Sequence, residues 1–128
     1  MSRILVLEDD AGFRAMLSEV LTDAGHQAVL AQSGAEAMEQ IKSQPFDLLL
    51  IDNRMPGISG FEFLQWARTT GYETPVIIMT AYADVPAVVS SMRLGAMDFL
   101  TKPFSPIHSL LPVVERCLKA SPRASSGP

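Results

Sequence analysis

Charged and hydroxyl side chains follow four of the short apolar runs in this sequence, at the point where each run ends. They are Glu8 and Asp9, Asp52, Thr80, and Lys102. Carboxylates that converge repel one another unless a cation joins them, and Mg²⁺ prefers carboxylate oxygens and water as ligands. A carboxylate can also attack phosphorus and form an aspartyl phosphate. The set is therefore sufficient for transfer of a phosphoryl group onto Asp52, with Lys102 supplying positive charge and Thr80 a hydroxyl donor.

This chemistry requires the apolar runs to form neighbouring parallel strands. The run at 48–51 is too short for a helix and suits a strand buried on both faces. Five strand signals alternate with five helix signals along the chain, which predicts right-handed βαβ units and a parallel sheet covered by helices on both faces. The carboxyl ends of such strands share one edge, where open α/β sheets bind their ligands.

The spacing of apolar residues, together with glycines and prolines, predicts where the elements lie. Their inner faces are expected to include Phe61 and Leu64 in the third helix, and Val88, Val89 and Met92 in the fourth. Strands are predicted at 4–7, 27–31, 48–51, 75–79 and 96–100, and helices near 13–24, 34–41, 59–69, 86–94 and from 106 onward.

Helix ends carry further signals. Asp10 precedes the first helix and fits an N-cap better than a metal ligand. Ser33 and Glu36 have the spacing of a capping box. Pro112 lies inside the last predicted helix, whose start is expected at Ser105 and Pro106. Because proline lacks the backbone donor, we expect a kink at Pro112 or a helix that restarts there.

Composition limits the classes of protein to which the chain can belong. Its 128 residues, 48% of them apolar, suit one domain over 1–120, followed by a linker or tail over 121–128. The net charge of −4 argues against binding nucleic acid by bulk electrostatics, and no apolar run is long enough for a membrane span. The lone Cys117 predicts a reducing, cytoplasmic setting and fits core packing better than a reactive thiol.

Four separated motifs resemble the receiver domain of two-component response regulators. They are ILVLEDD at 4–10, LID with MPG and Gly60 at 50–60, MTA at 79–81 and DFLTKPF at 98–104, and the match extends from residue 3 to about 119. The resemblance implies a flavodoxin-like (βα)5 three-layer sandwich with strand order 2-1-3-4-5. The segments at 83–88 and 95–99 most resemble receivers of regulators of the nitrogen-regulation, dicarboxylate-transport and nitrogen-fixation type.

The same resemblance implies roles for the acidic residues. Asp52 accepts a phosphoryl group from a sensor histidine kinase, so the domain is a phospho-acceptor switch rather than a metabolic enzyme. Asp9 and Asp52 bind Mg²⁺ directly, Glu8 acts through water, and the main-chain carbonyl of Arg54 supplies another ligand.

Roles for three other residues follow from the resemblance as well. Thr80 and Lys102 bind the phosphoryl oxygens. Phe99 is the aromatic switch, which moves inward when Thr80 is drawn toward the phosphate.

Arg54 and Tyr82 flank the predicted pocket, and two readings stay open: they shield the phosphoryl group from water, or they point into solvent.

The resemblance also implies partners beyond the kinase. We expect an output domain C-terminal to this segment, controlling transcription, or else a free-standing receiver that acts through protein contacts. Homodimerisation on phosphorylation is a further expectation, with Pro112 bearing on the geometry of the dimer face. Direct binding of nucleic acid or membrane by this domain is not expected.

Other readings of the same residues are open to test. Glu8, Asp9 and Asp52 can each be explained as a cap, a turn or a charge near a helix N-terminus. A phosphatase of the haloacid-dehalogenase type also uses an aspartate after an apolar strand, but it needs a second carboxylate where this chain has Arg54. A flavin carrier needs a Ser/Thr/Gly-rich loop in place of residues 8–10. A degenerate receiver that only docks partners would lack part of the acidic, hydroxyl and lysine set.

Overall fold

Strands and helices alternate along residues 2–81, 85–102, 104 and 106–120, which are the residues that the computed structural model describes. Among these residues, no helix has the length and hydropathy needed to cross a bilayer. A single 3₁₀ turn, Ile107–Ser109, precedes the last helix. The elements are β1 (Arg3–Leu7), α1 (Ala11–Asp23), β2 (Gln27–Ala31), α2 (Gly34–Ser43), β3 (Leu48–Asp52), α3 (Gly60–Thr70), β4 (Val76–Ala81), α4 (Val85–Arg93), β5 (Asp98–Lys102) and α5 (Leu110–Ala120).

The five strands form one parallel sheet in the order β2-β1-β3-β4-β5, which confirms the predicted flavodoxin-like topology. The order reverses between β1 and β3, so connections leave toward opposite faces on either side of this point. In the register of this central pair, Leu7 lies opposite Ile51. The residues that follow, Glu8 and Asp52, therefore reach the same edge of the sheet side by side.

Two apolar cores cover the two faces of the sheet because side chains alternate along each strand. Every residue of β3 is buried, as the continuous apolar run at 48–51 predicts. Leu48 and Leu50 pack with α1 and α5, whereas Leu49 and Ile51 pack with α2 and α3. Cys117 belongs to the first of these cores and is 3% exposed, which confirms its packing role. The central strand is thus held from both sides, and its carboxyl end is held in place with it.

The loop after β3 returns the chain tightly against the strand. The backbone N–H of Gly60 donates to the carbonyl of Asn53 over 3.0 Å. A Cβ atom on Gly60 would collide with the carbonyl oxygen of Asp52 and lie 2.8 Å from Cγ2 of Ile51. Only glycine allows the first residue of α3 to approach the strand so closely, and this approach fixes the backbone on either side of Asp52.

Helix caps agree with the sequence in part. Asp10 caps α1 by accepting from the backbone N–H of Phe13 at 2.9 Å, as predicted. Ser33 caps α2 by accepting from the backbone N–H of Glu36, but the Glu36 carboxylate accepts from Gln32 instead of closing a capping box. The complete capping box is at the start of α3, between Ser59 and Glu62, where it was not predicted.

The predicted inner faces of α3 and α4 were wrong in part. In α3, Phe63 is fully buried with Leu64, whereas Phe61 is only half-buried. In α4, Val88 is buried as expected, but Val89 and Met92 are 48% and 43% exposed. Ser91 faces inward instead and is fully buried. Its burial is tolerated because its hydroxyl donates to the carbonyl of Ala87 at 2.9 Å, so that no buried donor is left unpaired.

The last strand and helix begin later than predicted. Strand β5 covers 98–102, and Lys102 is its final residue rather than part of the following loop. Helix α5 begins at Leu110, so Pro112 lies in its first turn, where a backbone donor has no partner within the helix to lose. The predicted kink is therefore wrong, whereas the predicted restart is close to what the structure shows, since the α-helix begins at Leu110 after the 3₁₀ turn. Pro106 occupies the N-cap position of the 3₁₀ turn without a side-chain hydrogen bond, and Ser105 lies outside the described residues.

The close approach of α3 to β3 predicts the effect of adding one methyl group. Gly60→Ala should lower the free energy of unfolding by about 1–3 kcal/mol, because the new Cβ meets rigid backbone. Gly12→Ala is the matched control: its Cβ would lie 3.5 Å from the nearest atom, Oδ1 of Asp10, and alanine favours the helix. Urea denaturation of both variants measures the difference. Equal stability of the two variants would contradict the close approach.

Candidate functional site

Three carboxylates meet at the edge of the sheet where β1 and β3 end. Oxygens of Glu8, Asp9 and Asp52 all lie within 4.8 Å of one another. Glu8 is fully buried and Asp52 is 4% exposed, whereas Asp9 faces solvent. Two of the three charges are therefore withdrawn from water, which is costly unless a cation approaches them.

Lys102 brings an ammonium group to these carboxylates. Its Nζ lies 2.7 Å from Oε1 of Glu8 and 3.2 Å from Oδ1 of Asp52. Because Lys102 ends β5, two strands away from β3, its side chain extends past the end of β4 to reach them. The side chain remains 26% exposed, so the ammonium is at the border between the buried pair and solvent.

The electrostatics of the group show an excess of negative charge. The pKa of Asp52 is raised to about 7, first by burial and then by repulsion from Glu8, against attraction and a hydrogen bond from Lys102 and a backbone hydrogen bond from Arg54. Burial alone would lower the pKa of Lys102, but its contacts with Glu8 and Asp52 outweigh that effect and raise it. One ammonium thus compensates only part of two buried carboxylates.

Hydrogen bonds from the start of α1 fix the conformation of residues 8–10, which contain Glu8 and Asp9. Glu8 Oε2 accepts from the backbone N–H of Asp10 at 3.1 Å. The Arg14 guanidinium donates through Nη1 to the carbonyls of Glu8 at 2.8 Å and Asp9 at 3.3 Å. Arg14 was not among the predicted site residues, because no motif distinguishes it from an exposed helix arginine.

The remaining predicted site residues lie around this cluster. Thr80 is 3% exposed and is the penultimate residue of β4, the strand between those that carry Asp52 and Lys102. Arg54 follows β3 with an exposed side chain, and its backbone N–H donates to Oδ1 of Asp52 at 3.3 Å. Phe99 lies on β5 and is 43% exposed. Tyr82 lies outside the described residues.

An aromatic ring also borders the site. The Lys102 ammonium lies over the ring of Phe13, 4.8 Å from its centroid. The spacing of apolar residues predicts only that position 13 lies at the start of the first helix. Helical spacing predicts which face of a helix a residue occupies. It does not predict that this face contacts Lys102, which ends β5.

A family described as "Response regulator receiver domain" matches residues 4–113, and the acidic cluster, the lysine and the strand order all lie within that match. The chain belongs to this family. The resemblance in the four sequence motifs is thereby confirmed.

Curated relatives of this receiver domain are transcriptional regulators. The chain is 39% identical over 115 residues to the DNA-binding transcriptional regulator NtrC of Escherichia coli K12, covering 90% of this chain and 24% of that protein. It is 34% identical over 123 residues to the transcriptional regulatory protein FixJ of Bradyrhizobium diazoefficiens, covering 96% of this chain and 60% of that protein. The chain therefore spans about a quarter of the first relative and over half of the second.

Solved structures agree in fold over almost the whole chain. The receiver domain of NtrX from Brucella abortus has a TM-score of 0.85 at 30% identity, covering 92% of this chain and 99% of that chain. The chemotaxis protein CheY4 of Vibrio cholerae has a TM-score of 0.83 at 31% identity, covering 91% of this chain and 98% of that chain.

The raised pKa predicts that Asp52 destabilises the metal-free receiver when it is ionised. A carboxyl with a higher pKa in the folded state makes the protein less stable as pH rises from 3.8 to about 7, and the penalty is complete above that range. Without divalent cations at about pH 8, Asp52→Asn should therefore raise the free energy of unfolding by about 1 kcal/mol or more.

Urea denaturation in a chelator, at about pH 5 and about pH 8, measures this effect. The gain from Asp52→Asn should be larger at the higher pH. Asp9→Asn serves as the control, since that carboxylate is exposed and should change stability less. If Asp52→Asn were less stable than the unsubstituted protein at about pH 8, the claim that the ionised Asp52 destabilises the fold would be contradicted.

Proposed function

We propose that this receiver domain accepts a phosphoryl group on Asp52 from the phosphohistidine of a sensor histidine kinase. The observation that carries the proposal is a buried aspartate whose Oδ1 lies 3.2 Å from a lysine ammonium, at the edge where Glu8 and Asp9 also converge. An Asp52 oxygen attacks phosphorus, the phosphorus–nitrogen bond breaks, and the imidazole nitrogen retains the electron pair. The products are an aspartyl phosphate and a free histidine.

Each residue of the site has a task in this reaction. Asp52 is the nucleophile and must be ionised to attack; with a pKa of about 7, a substantial fraction is ionised at neutral pH. Lys102 already lies beside Asp52 and offers its charge to the phosphoryl oxygens. Thr80, buried on the intervening strand, offers a hydroxyl donor.

The acidic cluster fits Mg²⁺ by its chemistry. The three carboxylates are hard oxygen donors within 4.8 Å of one another, and the raised pKa of Asp52, caused first by burial and then by repulsion from Glu8, indicates a lack of positive charge beside it. We assign Asp9, Asp52 and the Arg54 main-chain carbonyl as direct ligands, with Glu8 acting through water. When bound, the ion supplies positive charge that offsets the negative charge of the phosphoryl oxygens.

The rival chemistries have less support. A phosphatase of the haloacid-dehalogenase type needs an acid two residues after the nucleophile. The residue there is Arg54, which contributes a backbone donor to Asp52 and an exposed side chain. A flavin carrier would need neutral phosphate-binding groups after β1, where Glu8 and Asp9 are carboxylates. The site therefore supports phosphorylation of the domain itself, without turnover of an external ester.

The output of the switch is proposed to be transcriptional. NtrC and FixJ are regulators of this kind, and this chain corresponds to only part of each. On α4 and β5, Val89, Met92 and Phe99 are large apolar residues at least 43% exposed, and we propose that this face contacts an output domain or a second copy of the receiver. A free-standing receiver acting through protein contacts is the alternative. A cytoplasmic location, shared with the kinase and the output, is part of this proposal.

Phosphorylation is expected at one residue only. Incubation with acetyl phosphate and Mg²⁺ should add about 80 Da to the unsubstituted domain and nothing to Asp52→Asn, since the carboxylate is the nucleophile. Lys102→Met should slow the gain about 10²-fold, the usual effect of removing one group that stabilises charge in the transition state. Intact-mass spectrometry follows both reactions.

Two outcomes would contradict the proposal. One is a mass gain that persists in Asp52→Asn, which would place the phosphoryl group elsewhere. The other is steady hydrolysis of a generic phosphate ester, such as p-nitrophenyl phosphate, at a rate that depends on Asp52, which would favour the phosphatase.

The proposed switch predicts that Phe99 becomes less exposed in the activated state. Beryllofluoride with Mg²⁺, a mimic of the phosphoryl group, should draw Thr80 toward Asp52 and let the Phe99 ring move inward from its 43% exposure. Paramagnetic relaxation by a soluble probe, measured on ¹³C-labelled phenylalanine, reports the ring exposure. The ring should stay exposed in Thr80→Ala and in Asp52→Asn. Equal relaxation with and without beryllofluoride in the unsubstituted protein would contradict the switch.

A further inference from the structure

The side chain through which Lys102 contacts Glu8 and Asp52 is intrinsically flexible. Four methylene groups separate its ammonium from the backbone of β5, and such a stem is flexible. Yet Nζ lies within 3.2 Å of both Glu8 and Asp52 while a quarter of the side chain is exposed. The two carboxylates hold the ammonium by charge, and a further contact would restrict the partly exposed side chain more.

The ring of Phe13 provides a further contact for the Lys102 ammonium. Its centroid is 4.8 Å from the Lys102 Nζ, inside the range of about 6 Å at which an ammonium is attracted to an aromatic face. The ammonium has three N–H donors, and the two carboxylates that it touches account for only two. The aromatic face therefore offers the ammonium a third favourable neighbour that does not compete for Asp52.

The ring itself is held from two sides. The backbone N–H of Phe13 donates to Oδ1 of Asp10 at 2.9 Å, which fixes the residue in the first turn of α1. The ring meets Phe104 edge to face, with centroids 5.3 Å apart and planes at 62°. Phe104 follows β5 by two residues, so the ring bridges the start of α1 and the segment that carries Lys102.

We propose that Phe13 is a positioning residue for Lys102: its ring keeps the ammonium directed at Asp52 before the phosphoryl group arrives. The inference rests on the proposed function, in which Lys102 binds the phosphoryl oxygens. Without the ring, only the contacts with Glu8 and Asp52 would hold the lysine, so it would sample solvent-facing rotamers more often, and binding of the phosphoryl group would have to order it again.

Leucine and tyrosine at position 13 separate the ring from its bulk. Phe13→Leu keeps an apolar side chain and the backbone donor to Asp10 but has no aromatic face, whereas Phe13→Tyr keeps the face. In metal-free protein, the ring should shift the Lys102 Hε protons upfield in the unsubstituted domain and in Phe13→Tyr. The shift should be lost in Phe13→Leu. This readout needs no phosphoryl group, and its absence in the unsubstituted domain would overturn the inference without any variant.

Binding of beryllofluoride with Mg²⁺ supplies the second readout. Phe13→Leu should weaken binding about 3- to 10-fold, the range expected for one partly exposed cation–aromatic contact, and Phe13→Tyr should restore it. In a Lys102→Met background, Phe13→Leu should have no further effect, because the lysine through which the ring acts is gone.

The outcomes separate this inference from the proposed function. If the unsubstituted domain binds beryllofluoride and Phe13→Leu binds it equally well, the role of Phe13 is overturned and the phospho-acceptor function stands. An equal loss in the presence and absence of Lys102 would make Phe13 a packing residue only. If the unsubstituted domain neither binds beryllofluoride nor takes up a phosphoryl group, both proposals fail together.

Discussion

The carboxylates of Glu8 and Asp52 are buried next to one another where β1 and β3 end, and the energetic cost of that placement shapes the whole site. Each charge loses water, each repels the other, and a single ammonium from Lys102 compensates them only in part. The pKa of Asp52 rises to about 7 as a result. A site in this condition favours an added cation, and a bound cation in turn favours the ionised aspartate that the proposed phosphoryl transfer requires.

The sheet maintains this costly arrangement because it fixes the backbone that carries the carboxylates. β3 is buried along its whole length between two apolar cores, so the backbone of Asp52 cannot move toward water without disrupting both. Gly60 brings α3 against the backbone at Asp52, and Arg14 binds the carbonyl of Glu8. Apolar burial elsewhere thus offsets the desolvation and repulsion of the two carboxylates, in keeping with the general cost of preorganised sites.

Much of this could be predicted from the chain because its signals are local. The continuous apolar run before Asp52 indicates a doubly covered parallel strand, and Asp10 has the position of an N-cap; the structure confirms both. The inner face of α4 was assigned wrongly in part, because hydropathy alone does not favour Ser91, whose hydroxyl is satisfied within its own helix. The contact between Phe13 and Lys102 could not be found at all, since it joins residues from opposite ends of the chain through tertiary packing.

The titration of Asp52 tests most directly whether the buried carboxylates of Glu8 and Asp52 share one ammonium. The ¹³Cγ shift of that carboxyl, followed against pH in metal-free protein, should show a midpoint about 7, well above its ordinary value of 3.8. Magnesium should move the midpoint down, because a bound cation favours the ionised form. A midpoint near 4 without metal would contradict the claim that two buried carboxylates share one ammonium.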